Sequence, residues 1–171
     1  LIGCRVKKFH ALMLNISIAG VMRVHWYSLR LTKLRGPSWG WRSRVIGWAM
    51  SPKMDAALVE TALRMALLGR RPPAGLLHHS DQGSQYTSEH FQKLLDEQGI
   101  TCSMSRAGEV WDNSAMESFF SSLKTERTAR KVYRSREQAR ADVFDYIERF
   151  YNPTRRHSTL GYVSPIQFEE R

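Results

Sequence analysis

Two acidic residues stand in polar segments where carboxylates could take part in catalysis. Asp81 lies in His-His-Ser-Asp-Gln-Gly-Ser-Gln-Tyr (78–86), directly after an apolar stretch, and Glu117 follows with 35 residues between the two acids. Carboxylate oxygens are preferred ligands of Mg²⁺ and Mn²⁺. Two such ions clamped by carboxylates can activate water or a 3′-hydroxyl for attack on phosphorus. A third acid is normally needed, so whether the chain has one decides what it can do.

The segments around the two acids predict alternating strands and helices. Strands are predicted at 45–50, 76–77 and 100–103, and helices at 54–68, at 89–98, from about 113, and at 136–151. This order is typical of an α/β fold with at least one parallel strand pair. Ligands of such sheets bind beyond the carboxyl ends of strands, which is where Asp81 is expected. A helix packed along those ends would bring Glu117 beside Asp81 and direct Lys124 towards an anionic substrate.

Residues 1–43 differ from the rest of the chain in charge and in pattern. They show no clean hydrophobic period, so we predict a basic, irregular leader there and a folded part over 44–171. No Asp or Glu occurs before Asp55, and the formal net charge of +10 belongs entirely to the first 54 residues. A basic arm that binds phosphates would have this composition, and so would out-of-frame translation. Composition alone leaves both interpretations open.

Cysteine content and hydropathy exclude several classes of protein. The two cysteines, Cys4 and Cys102, are far apart, which indicates a reduced, cytosolic protein and rules out a cysteine-based zinc site. The longest charge-free run near the N-terminus, 9–22, is too short to span a membrane and is a weak match to a signal peptide. We therefore expect a cytoplasmic protein with no membrane partner.

Each candidate residue also has an ordinary structural role that the pattern does not exclude. An aspartate after a strand is commonly a turn residue, and a glutamate on an amphipathic helix commonly faces solvent. The His78–His79 pair is predicted at a strand edge rather than at a metal, and the Phe119–Phe120 pair in the core rather than against bases. The Arg155–Arg156 pair is equally compatible with a basic helix exit and with a phosphate contact.

Ordered short segments extend over about three-quarters of the chain. They are 44–51 (Arg-Val-Ile-Gly-Trp-Ala-Met-Ser), 78–86, 103–106 (Ser-Met-Ser-Arg), 111–113 (Trp-Asp-Asn), 117–126 (beginning Glu-Ser-Phe-Phe), 146–152 (Tyr-Ile-Glu-Arg-Phe-Tyr-Asn), 155–158 (Arg-Arg-His-Ser), 160–162 (Leu-Gly-Tyr) and 164–165 (Ser-Pro). Together they resemble insertion-sequence transposases of the retroviral-integrase superfamily. The resemblance implies an RNase H-like domain with an Asp-Asp-Glu metal site. In that site Asp81 matches the second Asp, Glu117 matches the Glu, and their separation is the family's own.

The resemblance also implies a reaction and partners. The reaction is hydrolytic nicking of DNA followed by strand transfer through a 3′-hydroxyl, with Mg²⁺ (or Mn²⁺) as cofactor. Lys124 matches the basic residue seven positions after the catalytic Glu, and Asn113, Arg155 and Arg156 join it as predicted DNA contacts. The implied partners are transposon-end DNA, target DNA and further copies of the chain in a homo-oligomer. The expected location is the bacterial cytoplasm, in association with the nucleoid.

The first catalytic Asp of that family has no counterpart in this sequence. It lies on the first strand of the family's sheet, whereas residues 1–54 contain no acid. Agreement with the family begins near Arg42, so we predict an incomplete RNase H-like integrase core whose first strands are missing or replaced, through a frameshift or rearrangement. The predicted protein is an inactive remnant, because the bridging ligand of a two-metal site is absent. A non-catalytic DNA-binding fragment is the alternative, and a phosphohydrolase using His78, His79 and Asp81 is a third hypothesis.

Overall fold

Six strands and five α-helices make up the part of the chain that the computed structural model describes, which is residues 7–12, 17–18, 22–31, 44–71, 75–80, 83–104 and 114–171. For the described residues before 44, and for residues 79, 104 and 114–117, the structure describes the backbone only. The strands are β1 Lys7–Leu12, β2 Ser17–Ile18, β3 Met22–Leu31, β4 Val45–Ser51, β5 Leu77–Ser80 and β6 Thr101–Met104. The helices are α1 Ala56–Arg70, α2 Glu89–Glu97, α3 Ser114–Leu123, α4 Arg136–Phe144 and α5 Pro165–Glu169.

All six strands belong to one mixed sheet. β1 pairs antiparallel with β3 and parallel with β5, and β5 pairs parallel with β6. Trp26 of β3 pairs with Leu12 of β1 on one side and with Trp48 of β4 on the other. β2 lies on the same side of β3 as β1, because the residue that it pairs with, Arg23, is also paired with β4. The strands therefore run in the order β4-β3-β1-β5-β6, with β2 extending the line of β1.

The three strands before residue 44 correct the prediction that the leader is irregular. The apolar residues of β3 alternate from Met22 to Trp26 and then change phase before Leu29. The change of phase coincides with a shift in the β3–β4 register between Tyr27 and Ser28. Such an irregularity conceals the period of a strand in the sequence. The positions of the first strands are therefore filled rather than empty, while the domain division after residue 43 stays a prediction.

Helices cover the sheet in two separate cores, and the buried side chains of β4 are divided between them. The core under α1 and α2 consists of Ile46, Ala49, Leu58, Val59, Ala62, Leu63, Ala66, Leu76, Tyr86, Phe91, Leu94, Leu95 and Ile100. The core under α3 and α4 consists of Val45, Trp48, Met50, Phe119, Phe120, Leu123, Ala139, Val143, Tyr146, Ile147 and Tyr151. β4 and α1 approach each other closely at Gly47, where an added Cβ would meet the Ala62 carbonyl oxygen and lie 2.7 Å from the Ala66 Cβ. A glycine is therefore required at this contact.

Side chains of the C-terminal helices close the outer edge of β4. Asn152 is 2% exposed, its Nδ2 donates to the Val45 carbonyl at 2.9 Å, and its Oδ1 accepts from the Val45 N–H at 3.0 Å. Arg140 donates to the carbonyl of Met50 at 3.0 Å. Unpaired groups on an edge strand are a template for pairing with another chain. The side chains of Asn152 and Arg140 bind three backbone groups on this edge of β4. The sequence, in which Asn152 precedes a proline, does not predict this role.

The predicted helices are confirmed, with ends that agree within about two residues. The error lies near the end of the helix predicted at 136–151. α4 continues through a wider turn, Asp145–Tyr151, in which the N–H of Asn152 donates to the carbonyl of Ile147 at 3.0 Å. A turn closed five residues back moves the next side chain to the inner face. A regular helical period over 136–151 predicts Phe150, with Tyr146 and Ile147, on the apolar face. In the structure Tyr151 is 1% exposed and Phe150 is 43% exposed, so the prediction for Phe150 is wrong.

A helix that spans a bilayer needs about 20 consecutive, mostly apolar residues. None of the helices in the described ranges combines that length with that hydropathy.

Candidate active site

The strand that precedes Asp81 lies inside the sheet. β5 has β1 on one side and β6 on the other, so the prediction that His78 and His79 form a strand edge is wrong. His78 is fully buried, with its ring centre 5.4 Å from that of Phe91 and 6.0 Å from that of Tyr86. This packing is typical of a core histidine and does not favour a ligand role in a phosphohydrolase. Asp81 follows β5 directly and lies outside the described residues.

Glu117 belongs to α3, and three inward side chains hold this helix against the sheet. Phe119, Phe120 and Leu123 are at most 1% exposed, and the Phe119 ring meets that of Tyr151 edge-on at 4.8 Å. The prediction that the two phenylalanines are core residues is confirmed, which excludes the role of a base-stacking platform. Because these contacts fix α3, they also fix the backbone at Glu117 relative to the sheet.

Lys124 lies about two helical turns and about 10 Å beyond Glu117, on the same line along the helix. α3 ends at Leu123, and a wider turn, Lys124–Thr128, continues it, with the N–H of Ala129 donating to the Lys124 carbonyl at 2.7 Å. The Lys124 side chain is exposed and forms no ion pair with any described residue. A cation is thus presented to solvent beyond the candidate catalytic glutamate.

β1 takes the place in the sheet where a third acid would be needed. In its parallel pairing with β5, His10 lies opposite His79, so the two strands end side by side. The sequence of β1 is Lys-Lys-Phe-His-Ala-Leu, and no acid occurs anywhere in residues 1–54. Among the described residues, no group of three or more His, Cys, Asp or Glu could hold a metal ion. A set of two carboxylates does not fit a two-metal centre, because both ions must be clamped at once.

Arg155 is held by Glu126 within the protein. Its Nη2 donates to Glu126 Oε1 at 2.6 Å, and its guanidinium lies 5.7 Å from the centre of the Tyr151 ring. The Tyr146 hydroxyl donates to the same carboxylate at 2.7 Å. Partial burial raises the pKa of Glu126, but the hydrogen bonds from Arg155 and Tyr146 outweigh it and bring the pKa below its ordinary value. The charge of Arg155 is therefore engaged in an internal ion pair, which weakens the case for a DNA contact.

The other two predicted DNA contacts have different surroundings. Arg156 is exposed, next to His157, whose backbone forms an isolated bridge with Val163. Asn113 lies outside the described residues. Lys124 and Arg156 are thus the predicted contacts whose charges face solvent. Sequence reasoning treated the two neighbouring arginines alike, because the partner of the first one lies 29 residues away along the chain.

A buried glutamate near the C-terminus was not predicted. Glu169 Oε2 accepts hydrogen bonds from Arg44 at 2.8 Å and from Arg70 at 2.6 Å, and its side chain is 8% exposed. The contact joins α5 to the start of β4 and to the end of α1. Ser164 begins α5 with a capping box, which the sequence could have revealed. The capping box predicts the helix but not the ion pairs of Glu169 with Arg44 and Arg70.

Comparison with solved structures defines the class of fold. The catalytic core domain of BIV integrase matches with a TM-score of 0.56 at 16% identity, over 98% of this chain and 95% of that one. The HTLV-2 integrase catalytic core domain in complex with magnesium (dimeric form) matches with a TM-score of 0.55 at 11% identity, over 96% and 95%. Identities this low show the fold alone. The protein has the RNase H-like α/β fold of integrase catalytic cores, and the similarity extends into the acid-free N-terminal strands.

Sequence comparison then gives the family. Profiles described as "Integrase core domain" match residues 42–109 and 117–171. Transposase InsF for insertion sequence IS3A of Escherichia coli (strain K12) is 47% identical over 131 residues, which are 77% of this chain and 46% of that protein. The insertion element IS600 uncharacterized 31 kDa protein of Shigella sonnei is 44% identical over 127 residues, 74% of this chain and 47% of that protein. The chain belongs to the insertion-sequence transposases with an integrase core domain, and it spans about half the length of the curated relatives it matches.

Proposed function

We propose that this integrase core binds DNA but does not by itself nick it or transfer strands. The observation that carries the proposal is the position of β1, which lies beside the strand leading to Asp81 and contains no acid. Asp81 and Glu117 supply oxygen ligands that suit Mg²⁺ or Mn²⁺. Two carboxylates without a third hold such an ion weakly and leave the two-metal arrangement incomplete.

The proposed partners are duplex DNA at transposon ends and targets, and a second copy of the chain. Charge supports the first, since Lys124 and Arg156 are exposed cations and the first 54 residues hold ten basic residues and no acid. A dimeric form of a solved core with this fold supports the second. In a bacterial cell, such a protein is expected in the cytoplasm on chromosomal DNA.

A nicking assay tests the catalytic part of this proposal. Purified chain is incubated with supercoiled plasmid and Mg²⁺ or Mn²⁺, next to the Asp81→Asn variant, which removes one candidate ligand at almost constant volume. We expect no nicked product above that of the variant. Nicking by the unaltered chain that disappears in Asp81→Asn would show that a working site exists without the third acid, and the proposal would be wrong.

Fluorescence anisotropy with a short labelled duplex, in EDTA, tests the binding part. We expect an affinity that falls steeply with salt, because phosphate contacts release counterions. Asp81→Asn should bind as well as the unaltered chain, since binding in EDTA does not depend on metal ligands. A chain that does not bind duplex DNA at low salt contradicts the proposed function, whatever the result of the nicking assay.

A further inference from the structure

The segment between α3 and α4, residues 129–135, is held in place by a single carboxylate. Asp142 of α4 accepts hydrogen bonds from Arg127 at 2.9 Å, from Lys131 at 2.7 Å and from the Tyr133 hydroxyl at 2.6 Å. The Asp142 side chain is 13% exposed. Partial burial raises its pKa, but the hydrogen bonds from Lys131 and Tyr133 outweigh this and lower the pKa overall. The middle of the loop is therefore fastened to α4 through Lys131 and Tyr133, and the turn before it through Arg127.

The outward side of this loop carries cations that no acid neutralises. Seven basic and two acidic residues lie between positions 124 and 140. Arg127 and Lys131 are engaged by Asp142, whereas Arg130 and Arg134 are exposed and form no ion pair with any described residue. One of the two acids, Glu126, is engaged by Arg155, and the other, Glu137, lies in the first turn of α4 near the charges of Arg136 and Arg140. The loop thus presents a local positive charge on a fixed backbone.

The same loop exposes an apolar side chain between its two free arginines. Val132 is 92% exposed, although its neighbours Lys131 and Tyr133 both turn towards Asp142. Beside the loop lies a cavity of about 410 Å³, lined by Asp142 and Asp145 and also by the loop residues Lys131, Val132 and Tyr133. The two carboxylates make their wall of the cavity unsuitable for an anion, so an anionic partner would contact the loop at Arg130 and Arg134, which do not line the cavity. A surface of two cations around one apolar group suits the phosphates and sugar edges of a nucleic-acid backbone.

We propose that the loop 129–135 is a second binding surface for the phosphate backbone of duplex DNA, which follows Lys124 along the chain and contains none of the candidate acids. Arg130 and Arg134 each contact a phosphate, and Val132 packs against the sugars between them. The proposal rests on the proposed function, because it takes for granted that this core acts on DNA. It adds a surface that positions DNA through α4, away from the helix that carries Glu117.

The decisive variant is Arg130→Gln combined with Arg134→Gln in the full chain. Its matched control is Arg64→Gln with Lys93→Gln, which removes the same charge from exposed positions on α1 and α2, over the other core. Anisotropy with a short labelled duplex in EDTA is measured over a range of salt concentrations. We expect the loop variant to lose about tenfold in affinity and to lower the salt slope by about 2, at about 0.9 for each phosphate contact. The control should leave the slope unchanged.

The outcomes distinguish a failure of the loop proposal from a failure of the proposed DNA-binding function. If the unaltered chain does not bind duplex DNA, the proposed function fails with the loop; if it binds and both double variants change alike, the loop alone is refuted. Arg130→Lys with Arg134→Lys keeps the charge and should keep the slope, which distinguishes lost contacts from misfolding, and unaltered melting curves check the fold. A loop-dependent preference for duplex RNA over duplex DNA would also overturn the proposal.

Discussion

The N-terminal strands and the chain from β4 onwards belong to one sheet but are specified in different ways. β3 pairs with the whole of β1 and with most of β4, although the matched integrase core profiles begin at residue 42. From β4 onwards, individual side chains make contacts that few other residues could make. Gly47 admits α1, Asn152 closes the β4 edge, and Glu169 joins two arginines.

On the proposed function, this difference separates what the fold requires from what its chemistry requires. Every residue except proline carries the same backbone donor and acceptor, so a strand can be replaced while the order of the sheet is kept. A metal centre depends instead on a carboxylate at one particular position. In this chain the position is filled by Lys-Lys-Phe-His-Ala-Leu, so the sheet is completed and the set of ligands is not.

An acidic residue introduced on β1 would remove the difference between a complete sheet and an incomplete set of metal ligands. It is the change with the largest expected effect. His10 lies opposite His79, and Leu12 is two residues beyond His10, just as Asp81 is two residues beyond His79. We expect Leu12→Asp to tighten Mn²⁺ binding at least about tenfold, because a third carboxylate adds an anionic oxygen ligand. Titration calorimetry measures the binding, and plasmid nicking, which we expect to be absent from the unaltered chain, should appear with Mn²⁺.

Ala11→Asp is the matched control for that experiment. It adds the same charge one residue earlier, and successive residues of a strand point to opposite faces of the sheet. We expect no gain in metal affinity from it. Equal gains from both variants would mean that added charge alone is responsible. No gain from a folded Leu12→Asp protein would mean that the N-terminal strands lack more than one carboxylate.

Amide hydrogen exchange tests whether β3 is as firmly part of the sheet as β4. Arg23 and the β3 residues from Trp26 to Ser28 lie between two partner strands, so each of their amides should be bonded to one of them. We expect protection of about a thousandfold or more there, similar to that of Val45–Ser51, because slow exchange requires opening of the sheet. Exchange at the rate of an unstructured peptide over β3 would restore the original prediction of an irregular leader.

Alanine substitutions at two glycines test how strongly the stability of the region after residue 44 depends on single packing contacts. Gly47→Ala should destabilise the protein by about 3 kcal/mol, because the added methyl group overpacks the contact between β4 and α1. Gly69→Ala is the control, since no other described atom lies within 4 Å of its added Cβ. It should be neutral or stabilising by about 0.5–1 kcal/mol, because alanine favours the helix. Urea unfolding gives both values, and equal effects would contradict the packing argument.

Local pattern predicted the elements from β4 onwards, because β4 is a continuous apolar run buried on both faces and the helices repeat their apolar residues at the helical period. The pattern failed at two irregularities of the backbone. The phase change at Tyr27 and Ser28 concealed β3, and the wide turn before Asn152 exchanged Phe150 for Tyr151 in the core. Period analysis assumes regular geometry, so a bulge or a wide turn defeats it.

The candidate site was predicted from motifs, and its surroundings were not. Asp81, Glu117 and Lys124 follow from short segments that resemble a family. The ion pair that engages Arg155 joins residues 29 positions apart, so it depends on how α3 and the end of α4 pack together. No local pattern carries that information, and for this reason Arg155 and Arg156 were predicted alike.

The smallest expected effect is a loss of folding stability at acidic pH. We expect it to arise from His157 in the C-terminal region rather than from the histidines of the N-terminal strands. Burial, followed by the positive charge of Arg155, lowers the pKa of His157 from its ordinary 6.5 to about 4, against the opposing charge of Glu126. Between these two pH values the unfolded chain binds the proton and the folded chain does not, so stability must fall as the pH is lowered from about 6.5 to about 4. The carboxylates with lowered pKa, Glu126 and Asp142, lose their contributions only below their ordinary values of 4.5 and 3.8. Urea unfolding at pH 7, 6 and 5 should therefore show a slope that His157→Gln removes, while His90→Gln, at an exposed position, leaves it in place. A slope that persists in His157→Gln would assign the acid sensitivity to another part of the sheet.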